Sequence, residues 1–344
     1  MITPSQKANA KKLLKNSIIL VTGGTGSFGK TIVKELLTYK PKEIRIFSRS
    51  EDKQEKMDYL YNSNKKLHFI LGDVRDTKQV AHAMSDVDYV FHAAAQKQVP
   101  RTEYNVLEGI KTNILGAQNV IDACMDTPSV KKAIAISTDK AVEPINVMGM
   151  TKALQEKLFI EANLHVGKRK LAFSCVRYGN VLGSTGSVMP LFAKQIIDNK
   201  NLTVTHNDMT RFLITLDEAV QLVILALVES KGGEIYIPNI PSHTVVDLAK
   251  SMLQLFKQEG KLDIITTGIR VGEKLHETLI SPTESVRTIV NKNFYVILPD
   301  IFLPQSRISR KKITNQKMFR YSSDTAKKMS QPQLLITLKK KVNI

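Results

Sequence analysis

An acid, an amine and a hydroxyl are adjacent in the sequence at Thr138, Asp139 and Lys140, and a second lysine, Lys152, follows after Met148. A carboxyl group beside an amine can donate and accept protons, which indicates general acid–base chemistry. An ordinary lysine, with a pKa of about 10.4, is almost fully charged at pH 7, so Lys140 needs a lowered pKa to act as a base. We expect Lys152 and a positively charged cofactor to lower it by like-charge repulsion. Taken alone, the pair is more typical of a solvated turn after a strand, and a glycine-rich segment earlier in the chain, together with Lys152, favours the catalytic interpretation.

A glycine-rich segment over residues 21–29 precedes these residues and links an apolar strand to a helix. Glycines at this spacing allow a tight turn and let backbone amides approach a pyrophosphate at the helix N-terminus. The segment therefore predicts a dinucleotide-binding loop. The loop residues that we expect to face the cofactor are Gly23, Thr25, Gly26, Ser27, Phe28 and Gly29.

The next predicted strand ends at Ser48 and Arg49, without the acidic residue that would bind a ribose 2′-hydroxyl. Arg49 and Lys53 could instead hold a 2′-phosphate, so the sequence favours NADP over NAD. Asp73 and Val74 follow the third strand, where the carboxylate could accept a hydrogen bond from an adenine amino group. The alternative for Asp73 is a helix N-cap.

Short apolar runs alternate with helical patterns from residue 18 to residue 137, as in a parallel sheet with crossover helices. We predict strands at 17–21, 43–47, 67–71, 87–92, 132–137 and 171–177, and helices near 30–39, 77–84, 106–125 and 149–164. The predicted fold class is α/β, a Rossmann-type doubly wound parallel sheet with a smaller, discontinuous C-terminal lobe that binds the substrate. The expected divisions are an N-terminal extension (1–16), a Rossmann domain (17–180) and mainly the substrate lobe (181–344), with some segments returning to the Rossmann domain and a C-terminal tail.

The bulk composition limits the protein class. With 344 residues, of which 42% are hydrophobic, the chain can bury a large core. Its two cysteines, Cys124 and Cys175, are too few for a disulfide framework and indicate a reducing cytoplasm. The apolar run after residue 16 is too short to span a membrane. Although the formal charge is +18, most lysines are scattered, and we expect neither nucleic-acid binding nor a metal site.

The sequence resembles the extended short-chain dehydrogenase/reductase superfamily, and more narrowly the soluble UDP-N-acetylglucosamine 4,6-dehydratases. The resemblance covers about residues 17–325. The segments that carry it are 21–29, 47–49, 72–76, 92–95, 113–116, 137–141, 177–181, 209–212 and 268–277. The glycine loop marks the superfamily only, whereas segment 137–141 and the last three segments point to the dehydratases.

The resemblance implies a catalytic cycle in which C4 of the sugar is oxidised, a proton leaves C5, water is lost from C6 and the hydride returns to C6. It implies that Lys140 is the base at C5, that Asp139 assists water loss and that Thr138 hydrogen-bonds the substrate. Lys152 would hold the nicotinamide ribose. The cofactor would also contact Ala93, Ala94, Ala95 and Tyr178.

Met148 occupies the position of the tyrosine base in the superfamily's Tyr-x-x-x-Lys motif. A thioether cannot exchange a proton at neutral pH, so the group that accepts the C4-hydroxyl proton is open between Lys140, Asp139 and an ordered water. Met148 would pack against the nicotinamide. Thr185 is a second departure, because many relatives carry arginine there.

The resemblance also implies the substrate side of the site and the partners of the chain. The residues expected to hold UDP-N-acetylglucosamine are Lys97, Asn180, Val181, Arg211, Arg270 and Glu273. Met150, Leu154, Leu158 and Phe159 form an apolar stripe on the helix near 149–164, which fits either a subunit contact or the monomer core. We expect a cytoplasmic homo-oligomer, a dimer or a hexamer, without membrane insertion.

The resulting functional hypothesis is a C5-inverting dehydratase for bacterial surface glycans. One alternative is a nucleotide-sugar 4-epimerase, although the Asp139–Lys140 pair argues against it because epimerisation at C4 needs no base at C5. The other is a non-catalytic NADP-binding sensor or scaffold, suggested by the missing tyrosine.

Overall fold

A nine-stranded sheet is the centre of the structure, a computed structural model that describes residues 2–184, 186–301 and 317–339. Thr185 lies outside the described residues. The strands are β1 (Ile18–Thr22), β2 (Glu43–Ser48), β3 (Leu67–Leu71), β4 (Tyr89–His92), β5 (Lys132–Ile136), β6 (Ala172–Val176), β7 (Asn180–Val181), β8 (Leu202–Val204), β9 (Thr210–Ile214), β10 (Ile235–Pro238), β11 (Ser242–Thr244), β12 (Ile264–Thr266), β13 (Thr278–Ile280), β14 (Thr288–Val290), β15 (Phe294–Ile297) and β16 (Tyr321–Ser322).

The helices of the described ranges cover the sheet and build the C-terminal half. They are α1 (Pro4–Leu14), α2 (Ser27–Thr38), α3 (Glu51–Leu60), α4 (Thr77–Met84), α5 (Val99–Glu103), α6 (Val106–Ile110), α7 (Gly116–Asp126), α8 (Val147–Glu161), α9 (Val188–Ile197), α10 (Leu216–Glu229), α11 (Val245–Leu255), α12 (Pro282–Ser285) and α13 (Gln331–Lys339). A π-helical turn (Lys111–Leu115) and 3₁₀ turns (Asp139–Ala141, Ala162–Leu164) complete the set.

The strand order confirms the predicted Rossmann-type sheet. The order is β14-β15-β10-β6-β5-β4-β1-β2-β3, with parallel pairing from β3 across to β10 and antiparallel pairing of β15 and β14. The chain moves outward from β1 in both directions, so a crevice opens between β1 and β4 at the carboxyl ends of the strands. Ligands of open α/β sheets bind at such a crevice, and the glycine loop follows β1.

Helices α1 and α3 are among the helices that were missing from the sequence prediction. Helix α3 is almost wholly polar and buries only Gln54 and Met57, so it has little apolar periodicity; Ser50 caps its N-terminus. Helix α1 begins with a capping box between Thr3 and Gln6 and buries only Ala10 and Leu14. Both helices are defined by caps and by packing onto neighbours, which a periodicity search does not detect.

The helix predicted near residues 106–125 is divided by the π-helical turn. Asn113 in that turn is fully buried and pairs with the backbone of Gln96, accepting from its N (2.7 Å) and donating to its O (3.0 Å). Its Nδ2 also donates to Thr151 Oγ1 (2.9 Å). The turn thereby fixes the chain after β4 against α8, on which Met148 and Lys152 lie.

The C-terminal half contributes to two cores. Strands β10, β14 and β15 extend the main sheet, while α9, α11 and α13 pack with β8 and β9 around a second apolar cluster. Three small sheets, β11-β9-β7, β12-β8 and β13-β16, connect these parts. Within the described ranges, none of the helices has the length and apolar character needed to cross a bilayer.

Candidate active site

The glycine loop turns tightly enough that its backbone lies against the end of β4. Gly23 has a positive φ of 67°, and a Cβ atom there would lie 2.7 Å from Ala94 N and 2.8 Å from Ala93 O. Gly26 is the N-cap of α2 and provides no side-chain hydrogen bond to the first amides of the helix. Since those amides carry the positive end of the helix dipole, the loop fits a dinucleotide pyrophosphate.

The side chains at the end of β2 surround the expected position of the adenosine ribose. Ser48 is buried and accepts a hydrogen bond from Gln54 Nε2 (3.0 Å), whereas Arg49 and Lys53 are exposed. Arg49 Nη1 lies 3.7 Å from Asp73 Oδ2. Two cationic side chains therefore lie at the end of β2. Among the described side chains, β2 itself contributes no carboxylate at this end.

Asp73 is not a helix N-cap, because Asp76 caps α4 by accepting from Lys78 N (2.9 Å) and Gln79 N (3.1 Å). Its carboxylate accepts instead from Arg75 Nε (2.8 Å) and Nη2 (2.6 Å). Burial raises the pKa of Asp73, but the hydrogen bonds and charge of Arg75 outweigh burial and leave that pKa lowered. Asp73 is therefore an ionised acceptor at the end of β3, beside the buried Val74.

The remaining predicted cofactor residues lie on both sides of this crevice. Ala93 N donates to Thr22 O (3.1 Å) and Ala94 N to Thr22 Oγ1 (3.3 Å), while Ala95 is exposed. The ring of Tyr178 lies 6.5 Å from that of Phe28, so an aromatic pair links the glycine loop to the residues after β6. Thr25 is buried, and Ser27 is the first residue of α2.

Lys152 and Met148 lie on α8, but Lys152 does not act on Lys140 as predicted. Its Nζ donates to Ile136 O (2.5 Å) and Gln155 Oε1 (2.8 Å), and burial lowers its pKa to about 8. Its charge contributes to the lowered pKa of His92 and does not contribute to that of Lys140. Met148 is 4% exposed and presents a thioether in the first turn of α8.

The acid–base pair lies in the 3₁₀ turn directly after β5. Thr138 caps the turn by accepting from Lys140 N (3.3 Å), and its hydroxyl donates to Asp139 Oδ1 (2.9 Å). Asp139 is 1% exposed, its Oδ2 has no hydrogen-bond partner within the described chain, and a Cβ atom at Gly179 would lie 3.3 Å from Oδ2. A buried carboxyl oxygen without a partner is costly, so it marks a position where a ligand atom fits.

Lys140 lies between two buried carboxylates. Its Nζ is 3.0 Å from Asp139 Oδ1 and 2.8 Å from Glu277 Oε1. Burial alone would lower the pKa of Lys140, but the charges of Asp139 and Glu277 outweigh burial, and the net shift is upward. The expectation of a lowered pKa was therefore wrong in direction. Glu277 lies in the segment 268–277 that carries the family resemblance, but nothing in the sequence assigned this residue a role.

Arg211 on β9 connects the acid–base group to the substrate side. Its Nη1 donates to Thr210 O (2.8 Å) and Leu275 O (3.1 Å), its Nη2 lies 3.5 Å from Glu273 Oε1, and its Nε lies 3.9 Å from Glu277 Oε1. The structure thus brings together Arg211 and Glu273. Arg270 and Lys97 are exposed; the backbone amide of Arg270 donates to Glu273 Oε2 (3.2 Å).

A small pocket lies beside Arg211 and is lined partly by the predicted residues Asn180 and Val181. Sequence reasoning missed two of its polar residues, Ser187 and His243. Asn180 Oδ1, Ser187 Oγ and His243 Nδ1 are all buried without a hydrogen-bond partner in the described structure. Burial, and then the charge of Arg211, lower the pKa of His243 to about 4, so this imidazole is neutral at pH 7. No pattern in the sequence marks these two residues, because short strands and a loop bring them together.

The first comparison with known proteins matches most of the chain to one family. A family model described as polysaccharide biosynthesis protein matches residues 19–299.

Two relatives and one solved structure are similar over most of their length. The UDP-N-acetylglucosamine 4,6-dehydratase (inverting) of Campylobacter jejuni subsp. jejuni serotype O:23/36 (strain 81-176) is 50% identical over 83% of this chain and 84% of its own. A UDP-glucose 4-epimerase of Rickettsia bellii (strain OSU 85-389) is 47% identical over 82% of this chain and 83% of its own. The X-ray structure of Pen from Bacillus thuringiensis is 36% identical, with a TM-score of 0.87, over 95% of this chain and 99% of that one.

Proposed function

Because the chain belongs to the polysaccharide biosynthesis protein family, we propose that it is a nucleotide-sugar dehydratase that removes water across C5 and C6 of UDP-N-acetylglucosamine. The single observation that carries the proposal is the buried Asp139–Lys140 pair, with an unpartnered carboxyl oxygen, at the carboxyl end of β5. Dehydration needs an acid and a base at neighbouring carbons, and this pair supplies both. The 50% identity to the Campylobacter dehydratase supports the same substrate and C5 inversion.

The residues around the glycine loop fit a nicotinamide dinucleotide, and we propose NADP as its form. When bound, this cofactor would take a hydride from C4 and return it to C6. The loop amides after Gly26 would bind the pyrophosphate, and Arg49 with Lys53 would bind a 2′-phosphate. Lys152 would hold the nicotinamide ribose, and Met148 would exclude water from the ring face.

The acid–base residues of the chain then act on the sugar in turn. Asp139 would give a proton to the C6 hydroxyl as that group leaves. Lys140 would take the proton from C5, which the C4 ketone makes acidic. Thr138 would orient Asp139 through its hydroxyl. Arg211 would bind the diphosphate with its planar fork.

The pocket beside Arg211 is the proposed site of the nucleoside. Its three unpartnered polar atoms match a ligand with both donors and acceptors, such as a pyrimidine base with its ribose. The remaining lining is mostly apolar, which fits a base ring.

A second candidate function is a nucleotide-sugar 4-epimerase, favoured by the Rickettsia relative. An epimerase returns the hydride to C4 and leaves C5 and C6 unchanged. It would give no role to the unpartnered oxygen of Asp139 beside a second buried carboxylate, Glu277.

The test is NMR of UDP-N-acetylglucosamine incubated with the purified protein in deuterated water. Dehydration gives a 6-deoxy-4-keto sugar with deuterium at C5, and its ring couplings report inversion. UDP-N-acetylgalactosamine as the product would establish the epimerase instead. Lys140→Met should abolish turnover and leave NADP binding intact.

We also propose a homo-oligomer in a reducing cytoplasm. On α8, Phe159 is buried and Leu158 partly buried, whereas Met150 (46%) and Leu154 (52%) are exposed. The exposed pair supports a subunit contact. The buried, unpaired Cys124 and Cys175 support the compartment.

A further inference from the structure

The proposed dehydration moves two protons at different times. The C4-hydroxyl proton is lost on oxidation, and the leaving C6 hydroxyl gains a proton. The C5 proton is lost at elimination and a proton returns to C5 after the hydride reaches C6. Met148 cannot hold either proton, so the site needs two other groups that can each store one.

The structure contains two such groups, one on each side of Lys140. Asp139 Oδ1 and Glu277 Oε1 lie 3.0 Å and 2.8 Å from Lys140 Nζ, and both side chains are 1% exposed. Both distances allow a proton to pass along a hydrogen bond. Each carboxylate also keeps a buried second oxygen, Asp139 Oδ2 and Glu277 Oε2, without a partner in the described structure.

Glu277 is also held rigidly in its place. Its backbone N donates to Ser323 Oγ (2.9 Å), and Ser323 N donates to its backbone O (2.8 Å). Arg211 Nε, at 3.9 Å, is farther from Oε1 than Lys140 Nζ. A carboxylate that served packing alone would have both oxygens satisfied, because an unsatisfied buried acceptor costs about 1–3 kcal/mol.

We propose that Glu277 takes up the proton that leaves C5, and acts through Lys140. This role rests on the proposed dehydratase function. As the C5–H bond breaks, its electron pair moves into the enolate of the C4 ketone and Lys140 Nζ gains the proton. Lys140 releases another proton to Glu277 Oε1, so the lysine stays charged and Glu277 becomes neutral. Inversion requires that C5 regain a proton from solvent on the opposite face of the ring, and Glu277 gives up its proton to solvent before the next turnover.

The same relay accounts for the second proton. The C4-hydroxyl proton passes to Lys140 as Lys140 gives a proton to Asp139 Oδ1. Asp139 then gives its proton to the leaving hydroxyl, which departs as water. The upward shift in the pKa of Lys140 fits this relay, because the lysine keeps a proton between transfers. The charged groups around Lys140 are Asp139, Glu277, Arg211 and Lys274.

The test uses Glu277→Gln, which keeps a hydrogen-bond acceptor for Lys140 and cannot take a proton. We expect kcat to fall at least about 100-fold, with KM within about twofold, since proton transfer by a side chain contributes about 10²–10⁴. Glu277→Asp keeps the carboxylic acid, so its kcat should be at least about tenfold higher than that of Glu277→Gln. It also serves as the test variant if Glu277→Gln does not fold.

A second readout does not depend on turnover. The pKa of Lys140 should fall in ligand-free Glu277→Gln, because a negative neighbour is removed. NMR of ¹³C-labelled lysine measures this pKa, and the signal of Lys140 is assigned as the one that is lost in Lys140→Arg. Asp88→Asn is the matched control: it removes the carboxylate 2.7 Å from Lys131 Nζ, should lower the pKa of Lys131 and should leave kcat unchanged.

The results separate the two proposals. A kcat of Glu277→Gln within threefold of wild type, or a lower kcat with an unchanged pKa of Lys140, overturns the role of Glu277 and leaves the dehydratase in place. A wild-type protein that does not dehydrate UDP-N-acetylglucosamine overturns the proposed function itself.

Discussion

Arg177 is the residue whose removal should destabilise the protein most clearly. It is 2% exposed at the end of β6 and donates five hydrogen bonds: to Glu156 Oε1 (3.0 Å) and Oε2 (2.5 Å), to Glu284 Oε1 (2.9 Å) and Oε2 (3.1 Å), and to Leu279 O (2.9 Å). Arg177→Met keeps most of the side-chain volume but leaves the buried Glu156 and the partly buried Glu284 without their cation. Breaking a buried ion pair in this way costs about 3–5 kcal/mol.

This cost converts into a measurable thermal shift. An unfolding entropy of about 2 cal/mol/K per residue gives about 0.7 kcal/mol/K for a chain of this length, so Arg177→Met should lower Tm by about 4–7 °C. Differential scanning calorimetry at pH 7 measures the shift. Replacing all three partners together, Glu156→Gln, Arg177→Met and Glu284→Gln, should restore at least half of it, because no unpaired charge remains.

The same network has a defined pH dependence. Burial raises the pKa of Glu284, but the charge and hydrogen bonds of Arg177 outweigh burial and leave that pKa lowered. A carboxylate whose folded pKa is lowered stabilises the protein above its unfolded pKa of about 4.3 and loses this contribution as the pH falls through the folded value. The Tm difference between wild type and Arg177→Met should therefore narrow below about pH 4. A Tm within 1 °C of wild type at pH 7, or a difference that widens in acid, would refute this reasoning.

Three further predictions test the cofactor, the pocket and the assembly. Arg49→Ala with Lys53→Ala should weaken NADP binding by calorimetry about 10- to 150-fold and leave NAD binding unchanged, because a contact to a charged group contributes about 1.5–3 kcal/mol; equal weakening of both would contradict the 2′-phosphate role. His243→Phe, which keeps the ring and loses Nδ1, should raise KM for UDP-N-acetylglucosamine about 2- to 13-fold with kcat unchanged, and an unaltered KM would place the nucleoside elsewhere. Met150→Glu with Leu154→Glu should reduce the mass measured by light scattering, whereas Ile197→Glu, at a 74% exposed site on α9, should not; equal masses would exclude the α8 contact.

The sequence predicted the part of the fold in which local pattern and tertiary structure agree. The first six strands of the sheet are short apolar runs bounded by polar residues, and each observed strand lies within two residues of its predicted bounds. The glycine loop has a spacing that only a few backbone geometries satisfy. The polar helix α3 and the short strands β7, β9 and β11 depend on caps and on partners distant in sequence, so periodicity did not show them.

The site was predictable in its residue types but not in its electrostatics. The closeness of the two lysines in the sequence suggested that Lys152 would act on Lys140, yet Lys152 turns to the carbonyl of Ile136 at the end of β5. The charge of Lys140 is set by Asp139 and by Glu277, and Glu277 lies far later in the chain and reaches Lys140 only through the folded C-terminal half. Contacts between residues so far apart in the sequence leave no signal in local spacing. The predicted direction of the shift in the pKa of Lys140 was therefore wrong.

The position of Glu277 connects the stability network to the proposed chemistry. Glu277 precedes β13, and Arg177 holds the carbonyl of Leu279 within that strand. Arg177 also lies directly before Tyr178 and Gly179, which position Asp139 through the hydrogen bond from Asp139 N to Tyr178 O (3.1 Å) and through close packing. One buried guanidinium thus fixes the segments that carry the two carboxylates on either side of Lys140. The proposed acid–base group is therefore complete only when the segment that contains β13 is docked on β6, so the residues proposed to bind the sugar and those proposed to move its protons assemble together.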